Sequence, residues 1–133
     1  MSHLPDLVAL DTLLAVAVFF GTLVAVGRAR SKYKIDAPAT TGNPNFERVF
    51  RVQMNTLEAL ALFLPSLWIA ALHADRLIVG GVGLLWVIAR IWYAIAYAGD
   101  AKKRGPGFGL GILATAILWV MALWGLVVAT IAT

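Results

Sequence analysis

Four apolar segments, each long enough to cross a lipid bilayer, dominate the sequence. They cover residues 7–26, 46–72, 77–99 and 108–133 of the 133-residue chain. A transmembrane helix needs about 20 mainly apolar residues. The segments also lack the polar–apolar alternation of transmembrane barrel strands, and open strand edges do not occur in lipid. The sequence therefore predicts an all-α integral membrane protein, a single domain over 1–133 built as a four-transmembrane-helix bundle.

Composition and charge support this class of protein and argue against others. Hydrophobic residues make up 61% of the chain and charged residues 14%, against about 25% charged residues in soluble domains. The chain has no cysteine, and its two histidines, His3 and His73, are far apart in sequence, so we expect no metal site. The net charge of +4 is typical of the basic loops that set topology, and we expect no nucleic-acid partner.

The basic residues predict the orientation in the membrane. Four of them lie between the first two segments, and a fifth, Arg48, lies at the start of the second. Three lie between the last two segments, and the opposite side has only Arg76. Because cytoplasmic loops are enriched in Lys and Arg, we expect both clusters in the cytoplasm and both termini outside. Short tails and no organelle signal favour a bacterial inner membrane. The two clusters are Arg28, Arg30, Lys32, Lys34 and Arg48, and Lys102, Lys103 and Arg104.

Polar side chains form a stripe on each of the two middle segments. A charged group within a span costs several kcal/mol unless it faces a protein interior or a watery cavity. At 100° per residue, four polar residues of the second segment fall within an arc of about 80°. The stripes are Arg48, Arg51, Asn55 and Glu58 on the second segment and Trp86, Arg90, Tyr93 and Tyr97 on the third.

The two stripes match in depth when the segments are paired as antiparallel helices. Arg51 then lies level with Tyr97 and Asn55 with Tyr93. Glu58 lies level with Arg90, which predicts a structural ion pair that would neutralise both charges. The ladder reaches about 16 Å into the membrane at 1.5 Å per residue. It admits two interpretations, a structural link between two helices or one wall of a binding site.

An excess of positive charge favours the binding site. Arg51 has no acidic residue at its own depth, and Arg104 adds a charge at the mouth of the predicted pocket. Arginine binds carboxylates in a forked geometry, so the pocket suits an anionic small molecule. Gln53 lies about 140° or more from the stripe around the helix. A site shared between protomers would bring it to the same ligand, which argues for an oligomer.

Two stretches resemble a known family of membrane proteins. They are "FERVFRVQMNTLEALALFLPSLW" (46–68) and "ARIWYAIAYAGDAKKR" (89–104). The E-R-V-[FY]-R-x-Q-x-N-x-x-E core and its spacing to R-x-x-Y-x-x-x-Y resemble the membrane-associated proteins in eicosanoid and glutathione metabolism, the MAPEG family. That family includes leukotriene C synthase and the microsomal glutathione transferases. The resemblance covers about residues 28–104, whereas the outer two segments match only in length and apolarity.

The resemblance implies a homotrimer that binds glutathione as its co-substrate between neighbouring protomers, at the cytoplasmic end. It implies a glutathione S-transferase or peroxidase that acts on a hydrophobic electrophile or lipid hydroperoxide within membrane lipid. Ala59 replaces a tyrosine frequent in leukotriene C synthase relatives, which predicts a roomier pocket or weaker glutathione binding. The implied ligands of glutathione are Arg51, Asn55, Glu58, Tyr93 and Tyr97 from one protomer and Arg30 and Gln53 from the next, with Arg104 activating the thiol.

Two other functions compete with this interpretation. One is a non-enzymatic, lipid-binding scaffold of the same family, against which the presence of Arg104 and the polar ladder argue. The other is a small proton-coupled multidrug carrier that uses Glu58. A carrier would leave its membrane acid unpaired, so the expected pair with Arg90 argues against this function.

Overall fold

The computed structural model describes residues 6–133, so His3 lies outside the described part of the chain. The described residues form four long helices and a short 3₁₀ turn. All four helices are long and apolar enough to cross a membrane. The predicted all-α bundle is confirmed, and the chain is an integral, multi-pass membrane protein. The helices are α1 (Leu7–Tyr33), α2 (Pro44–His73), α3 (Arg76–Gly99) and α4 (Gly105–Ile131), with the 3₁₀ turn at Ala101–Arg104.

Side chains just before three of the helices fix where those helices begin. The Asp6 carboxylate accepts hydrogen bonds from the first free N–H groups of α1, and Asp75 does the same for α3. Asn43 caps α2, and Pro44 occupies its first turn. Asp and Asn are strongly preferred caps, and proline suits the first helical position. These caps allow α2 and α3 to be joined by two residues, so the two polar stripes run antiparallel.

The first helix is longer than the apolar pattern predicts. The predicted span ends at residue 26, but α1 continues to Tyr33, and only residues 34–43 connect it to α2. Lys34 ends the helix by adopting a left-handed conformation, with φ 56° and ψ 47°. Apolarity marks where a helix leaves the membrane, whereas a basic helix can continue into water. Similarly, α4 begins at Gly105, three residues before the predicted span.

Close approach of glycine lets α4 pack against α3 beside the polar stripe. A Cβ on Gly107 would lie 2.7 Å from the backbone nitrogen of Tyr93 and 3.1 Å from the carbonyl oxygen of Ala89. Below this contact the indole of Trp86 stacks on the ring of Phe63, with centroids 4.1 Å apart and 4° between the planes. These contacts hold α2, α3 and α4 together around the end of the bundle that carries the polar stripes.

At the other end of the bundle, charged groups tie α1 to α3. Arg76 Nη2 lies 2.8 Å from Asp6 Oδ2. Partial desolvation opposes ionisation of this carboxyl, but hydrogen bonds from Ala9 N–H and from Arg76 hold the pKa of Asp6 below its usual value. Further inside, both oxygens of Asp11 are buried without a hydrogen-bond partner among residues 6–133. A Cβ on Gly83 would clash with Asp11 Oδ2, so α1 and α3 come this close only because Gly83 has no side chain.

Candidate functional site: a cleft between α2, α3 and α4

A cleft of about 670 Å³ opens between α2, α3 and the start of α4. This volume lies within the range of small-molecule sites, roughly 300–1,000 Å³. One part of its wall is polar and charged, and the rest is apolar. The polar lining is Asn55, Glu58, Arg90, Tyr93, Lys102, Arg104 and Thr115, and the rest is Ala59, Leu62, Trp86, Gly105, Phe108, Gly111 and Ile112.

The Asn55–Tyr93 rung of the predicted ladder is present. Asn55 Nδ2 donates a hydrogen bond of 2.7 Å to the phenol oxygen of Tyr93. Tyr93 is 1% exposed, so this hydroxyl is held between two helices. The phenol proton remains able to donate to a ligand, because the oxygen accepts from Asn55.

Arg104 lies at the mouth of the cleft, on the 3₁₀ turn. The Asp100 side chain accepts a hydrogen bond from Lys102 N–H and so begins this turn. Arg104 Nη1 donates to the carbonyl oxygen of Ala101 at 2.6 Å, and its guanidinium lies 5.9 Å from the centroid of the Tyr97 ring. The turn therefore presents an exposed cation at the cleft, with donors left for a ligand.

The structure corrects the predicted ion pair between Glu58 and Arg90. Among the described residues, the one ion pair within 4.0 Å is that of Arg76 and Asp6. Arg90 Nε instead donates to Thr56 Oγ1 at 3.1 Å, whereas Glu58 is exposed along the cleft. Thr56 and Glu58 both lie near the depth of Arg90, but they lie about 160° apart around α2. Only Thr56 points into the contact with α3.

Four predicted site residues do not line this cleft within one protomer. Tyr97 lies at its edge, with its ring centroid 5.5 Å from that of Tyr93. Arg30 binds the loop after α1, donating to the carbonyl oxygens of Ile35 (3.2 Å) and Ala39 (2.8 Å). The other two are Arg51, which is exposed, and Gln53, which is half-buried.

Several lining residues were not predicted from the sequence. Thr56 does not line the cleft but accepts a hydrogen bond from Arg90, which does; this role was not predicted either, because it depends on contact with another helix. Lys102 was assigned to topology alone, although its neighbour Arg104 signalled the site. Phe108 and Thr115 lie on α4, where an uninterrupted apolar run offered no marker. Ala59, the departure from the family pattern, does line the cleft, so its small side chain leaves space there.

A four-helix membrane bundle with a cleft of small-molecule size defines the class of this protein. The model of the MAPEG family matches residues 8–124. The chain belongs to the MAPEG family.

Relatives of known sequence agree with this assignment. The chain is 51% identical over 115 residues to an uncharacterized protein of Synechocystis sp., covering 86% of this chain and 84% of that protein. It is 40% identical over 101 residues to microsomal glutathione S-transferase 2 of Bos taurus (76% of this chain, 69% of the relative). It is 38% identical over 98 residues to leukotriene C4 synthase of Cavia porcellus (74% and 65%).

Proposed function

We propose that this protein is a membrane-bound glutathione S-transferase. Its cleft would bind glutathione at the polar wall and bring the thiol to a hydrophobic electrophile. The observation that carries the proposal is the convergence of Asn55, Glu58, Tyr93 and Arg104 on one cleft in a member of the MAPEG family. Two named relatives are a glutathione S-transferase and a leukotriene C4 synthase, which supports glutathione as the co-substrate.

The charges of glutathione match the charges of the site. Glutathione has two carboxylates and one ammonium group. Glu58 is the partner for the ammonium, and Arg51 binds a carboxylate, because the planar guanidinium forms two parallel hydrogen bonds with it. Asn55, Tyr93 and Tyr97 would form uncharged hydrogen bonds with glutathione from the same polar wall.

A homotrimer would complete the glutathione site. Arg30 and Gln53 do not line the cleft of a single protomer, and Arg51, which in this proposal belongs to the same protomer as the cleft, lies outside its lining. In the proposed assembly, Arg30 and Gln53 come from the neighbouring protomer. Arg30 lies at the end of α1 and Gln53 on another face of α2, so a second chain packed against these helices would meet the same ligand.

Arg104 would activate the thiol. A cysteine-type thiol has a pKa of about 8.5, so only a few per cent is thiolate at pH 7. Making it mostly thiolate needs a shift of about 2 units, or roughly 2.7 kcal/mol. A guanidinium beside the sulfur supplies this by favouring the charged form, and arginine stays protonated throughout.

The thiolate then attacks an electrophilic carbon of a molecule that enters from the bilayer. A carbon–sulfur bond forms, and the carbon–leaving group bond breaks with its electron pair going to the leaving group. With a lipid hydroperoxide as substrate, two glutathione thiols would supply two electrons and give glutathione disulfide, an alcohol and water. The apolar part of the cleft, at Leu62, Trp86 and Ile112, is where such a molecule would lie.

The proposed orientation places the cleft at the cytoplasmic face. Arg104 and the basic end of α1 lie on the side with the surplus of Lys and Arg, which favours the cytoplasm. Glutathione is then taken from the cytoplasm, both termini lie outside, and the electrophile is taken from the membrane, for which we propose a bacterial inner membrane.

Different observations bear on the two competing functions. The absent Glu58–Arg90 pair removes one argument against a proton-coupled carrier, since Glu58 is unpaired among residues 6–133. The remaining argument against a carrier is that the chain belongs to the MAPEG family. The exposed Arg104 donors in the cleft argue against a scaffold that only binds lipid.

Conjugation of glutathione to a chlorodinitrobenzene-type electrophile by the detergent-purified protein tests the proposal. We expect turnover by the wild type and loss of most of it in Arg104→Ala, because the thiol would return to its usual pKa. Lys103→Ala is the matched control, since Lys103 is a neighbouring exposed cation that does not line the cleft. Full activity in the Arg104 variant, with its oligomeric state unchanged, would refute the thiolate role.

A further inference from the structure

Arg90 is buried against α2 and still has an unused hydrogen-bond donor. Its side chain borders the cleft but is only 5% exposed. Nε donates to Thr56 at 3.1 Å, and the guanidinium carbon lies 3.8 Å from the centroid of the Tyr93 ring. Nη2 is buried and has no hydrogen-bond partner among residues 6–133.

The charge of Arg90 is not balanced by the protein around it. No acidic residue among residues 6–133 lies within 4.0 Å of its guanidinium, and Glu58 is exposed elsewhere along the cleft. Arginine is not deprotonated in proteins, and an unpaired charge buried in a span costs several kcal/mol. The Tyr93 ring and the Thr56 hydroxyl offset part of this cost, since a ring face attracts a desolvated cation.

The two contacts also fix the plane of the guanidinium. Thr56 holds it at Nε, and the Tyr93 ring covers one of its faces. Nη2 is buried and has no acceptor among residues 6–133, and it belongs to a side chain that borders the cleft, so an acceptor that enters the cleft would meet this end of the guanidinium. A carboxylate meets an arginine edge through two parallel hydrogen bonds and balances its charge. We propose that Arg90 is a carboxylate-binding residue at the inner part of the cleft.

The position of Arg90 restricts which carboxylates can reach it. Arg90 lies nine residues before the end of α3 at Gly99, which is roughly 14 Å along the helix. Trp86 and Leu62 line the cleft nearby. The ligand must therefore carry its carboxylate into an apolar part of the cleft. Two ligands could supply this carboxylate, glutathione itself and a fatty-acid-derived co-substrate. In naming these two ligands, the proposal rests on the proposed function.

Binding measurements on Arg90→Gln in lipid nanodiscs test this role. The glutamine amide keeps a donor near Thr56, but it has no positive charge and cannot form the two parallel hydrogen bonds of a guanidinium. Glutathione is titrated calorimetrically, and dodecanoate and methyl dodecanoate are titrated by tryptophan fluorescence. If the carboxylate is that of glutathione, its Kd rises more than tenfold in the variant. If it is that of the lipid, the preference of the wild type for the acid over its ester falls more than tenfold.

A purely structural role would not reproduce these results. Thr56→Val removes the hydroxyl that accepts from Arg90 Nε but leaves the charge of Arg90, so we expect it to keep the preference for acid over ester. If Arg90→Gln leaves both the glutathione Kd and this preference unchanged, or if the wild type binds no carboxylate, the proposal is wrong. If Arg90→Gln does not fold, Arg90→Lys replaces it. We expect weaker carboxylate binding in Arg90→Lys. Wild-type affinity for both glutathione and dodecanoate would exclude two parallel hydrogen bonds from Arg90.

The same measurements separate this proposal from the proposed function. Binding of a carboxylate does not depend on turnover. A wild type that discriminates acid from ester through Arg90 but fails to conjugate glutathione would keep the present proposal and refute the transferase. If the wild type conjugates the neutral chlorodinitrobenzene-type electrophile and Arg90→Gln is unaffected in all binding assays, the transferase is supported and the role of Arg90 is refuted.

Discussion

Two residues of α2, Thr56 and Glu58, show how a small difference in sequence position decides which side chain meets a buried cation. Both lie near the depth of Arg90, but only Thr56 is buried against it. Glu58 is exposed along the cleft and is free to bind a ligand's ammonium group. Thr56 therefore binds Arg90 and Glu58 lines the cleft, so the two roles that were combined in the predicted ion pair belong to different residues.

At the same scale, Arg51→Ala should weaken glutathione binding by well over tenfold. The variant loses a charged, forked hydrogen bond to a carboxylate, and charge-assisted bonds of this type contribute about 1.5–3 kcal/mol. Calorimetric titration with glutathione measures the change. Arg28→Ala is the control, because Arg28 is an exposed cation of the same basic side of the protein. An unchanged dissociation constant in Arg51→Ala would exclude the proposed clamp.

Among the elements, α4 depends on α3 for its position at the cleft. Its contact runs along Gly107 and Gly111, whose small-xxx-small spacing favours close helix packing. The two glycines are not equivalent. At Gly107 an added Cβ meets the backbone of Tyr93 at 2.7 Å, but at Gly111 the nearest atom is 3.9 Å away, the Cβ of Ala89. Only Gly107 sets how near α4 comes.

Gly107→Ala should therefore destabilise the protein, and Gly111→Ala should not. Backbone atoms of α3 cannot give way, so α4 must move, and overpacking of this kind costs about 1–3 kcal/mol. Thermal unfolding in detergent measures the difference. We also expect reduced conjugation of glutathione in Gly107→Ala, because Tyr93 and the start of α4 both belong to the cleft. Equal unfolding midpoints for the two variants would contradict the packing argument.

For the whole molecule, the distribution of site residues over two chains is the main consequence of the proposed trimer. Arg104 lines the cleft of its own protomer, whereas Gln53 lies on another face of α2. Many large apolar side chains on the bundle surface are also exposed, as expected for contact with lipid or with a neighbouring protomer. Examples are Phe20, Ile95, Trp119 and Trp124.

Mixed oligomers test this arrangement. Arg104→Ala and Gln53→Ala should each lower conjugation when expressed alone. When the two are co-expressed, an interface that takes Arg104 from one variant and Gln53 from the other is intact, so part of the activity should return. Rates at low glutathione concentration are the measurement, and mixing the separately purified trimers is the control. Activity no higher than the mean of the two variants would place both residues in one protomer's site.

The sequence by itself determined the bundle, because apolar length and capping residues act locally and do not depend on how helices pack. It also predicted the depth of each polar rung, since 1.5 Å per residue applies to any helix. Only the tertiary structure decided which side of α2 faces α3. As a result, Arg90 donates its hydrogen bond to Thr56, and Glu58 lines the cleft. Contributions of Phe108 and Thr115 from α4 likewise depended on packing at Gly107. Rotation and approach of helices are set by contacts between residues distant in sequence, which no local pattern records.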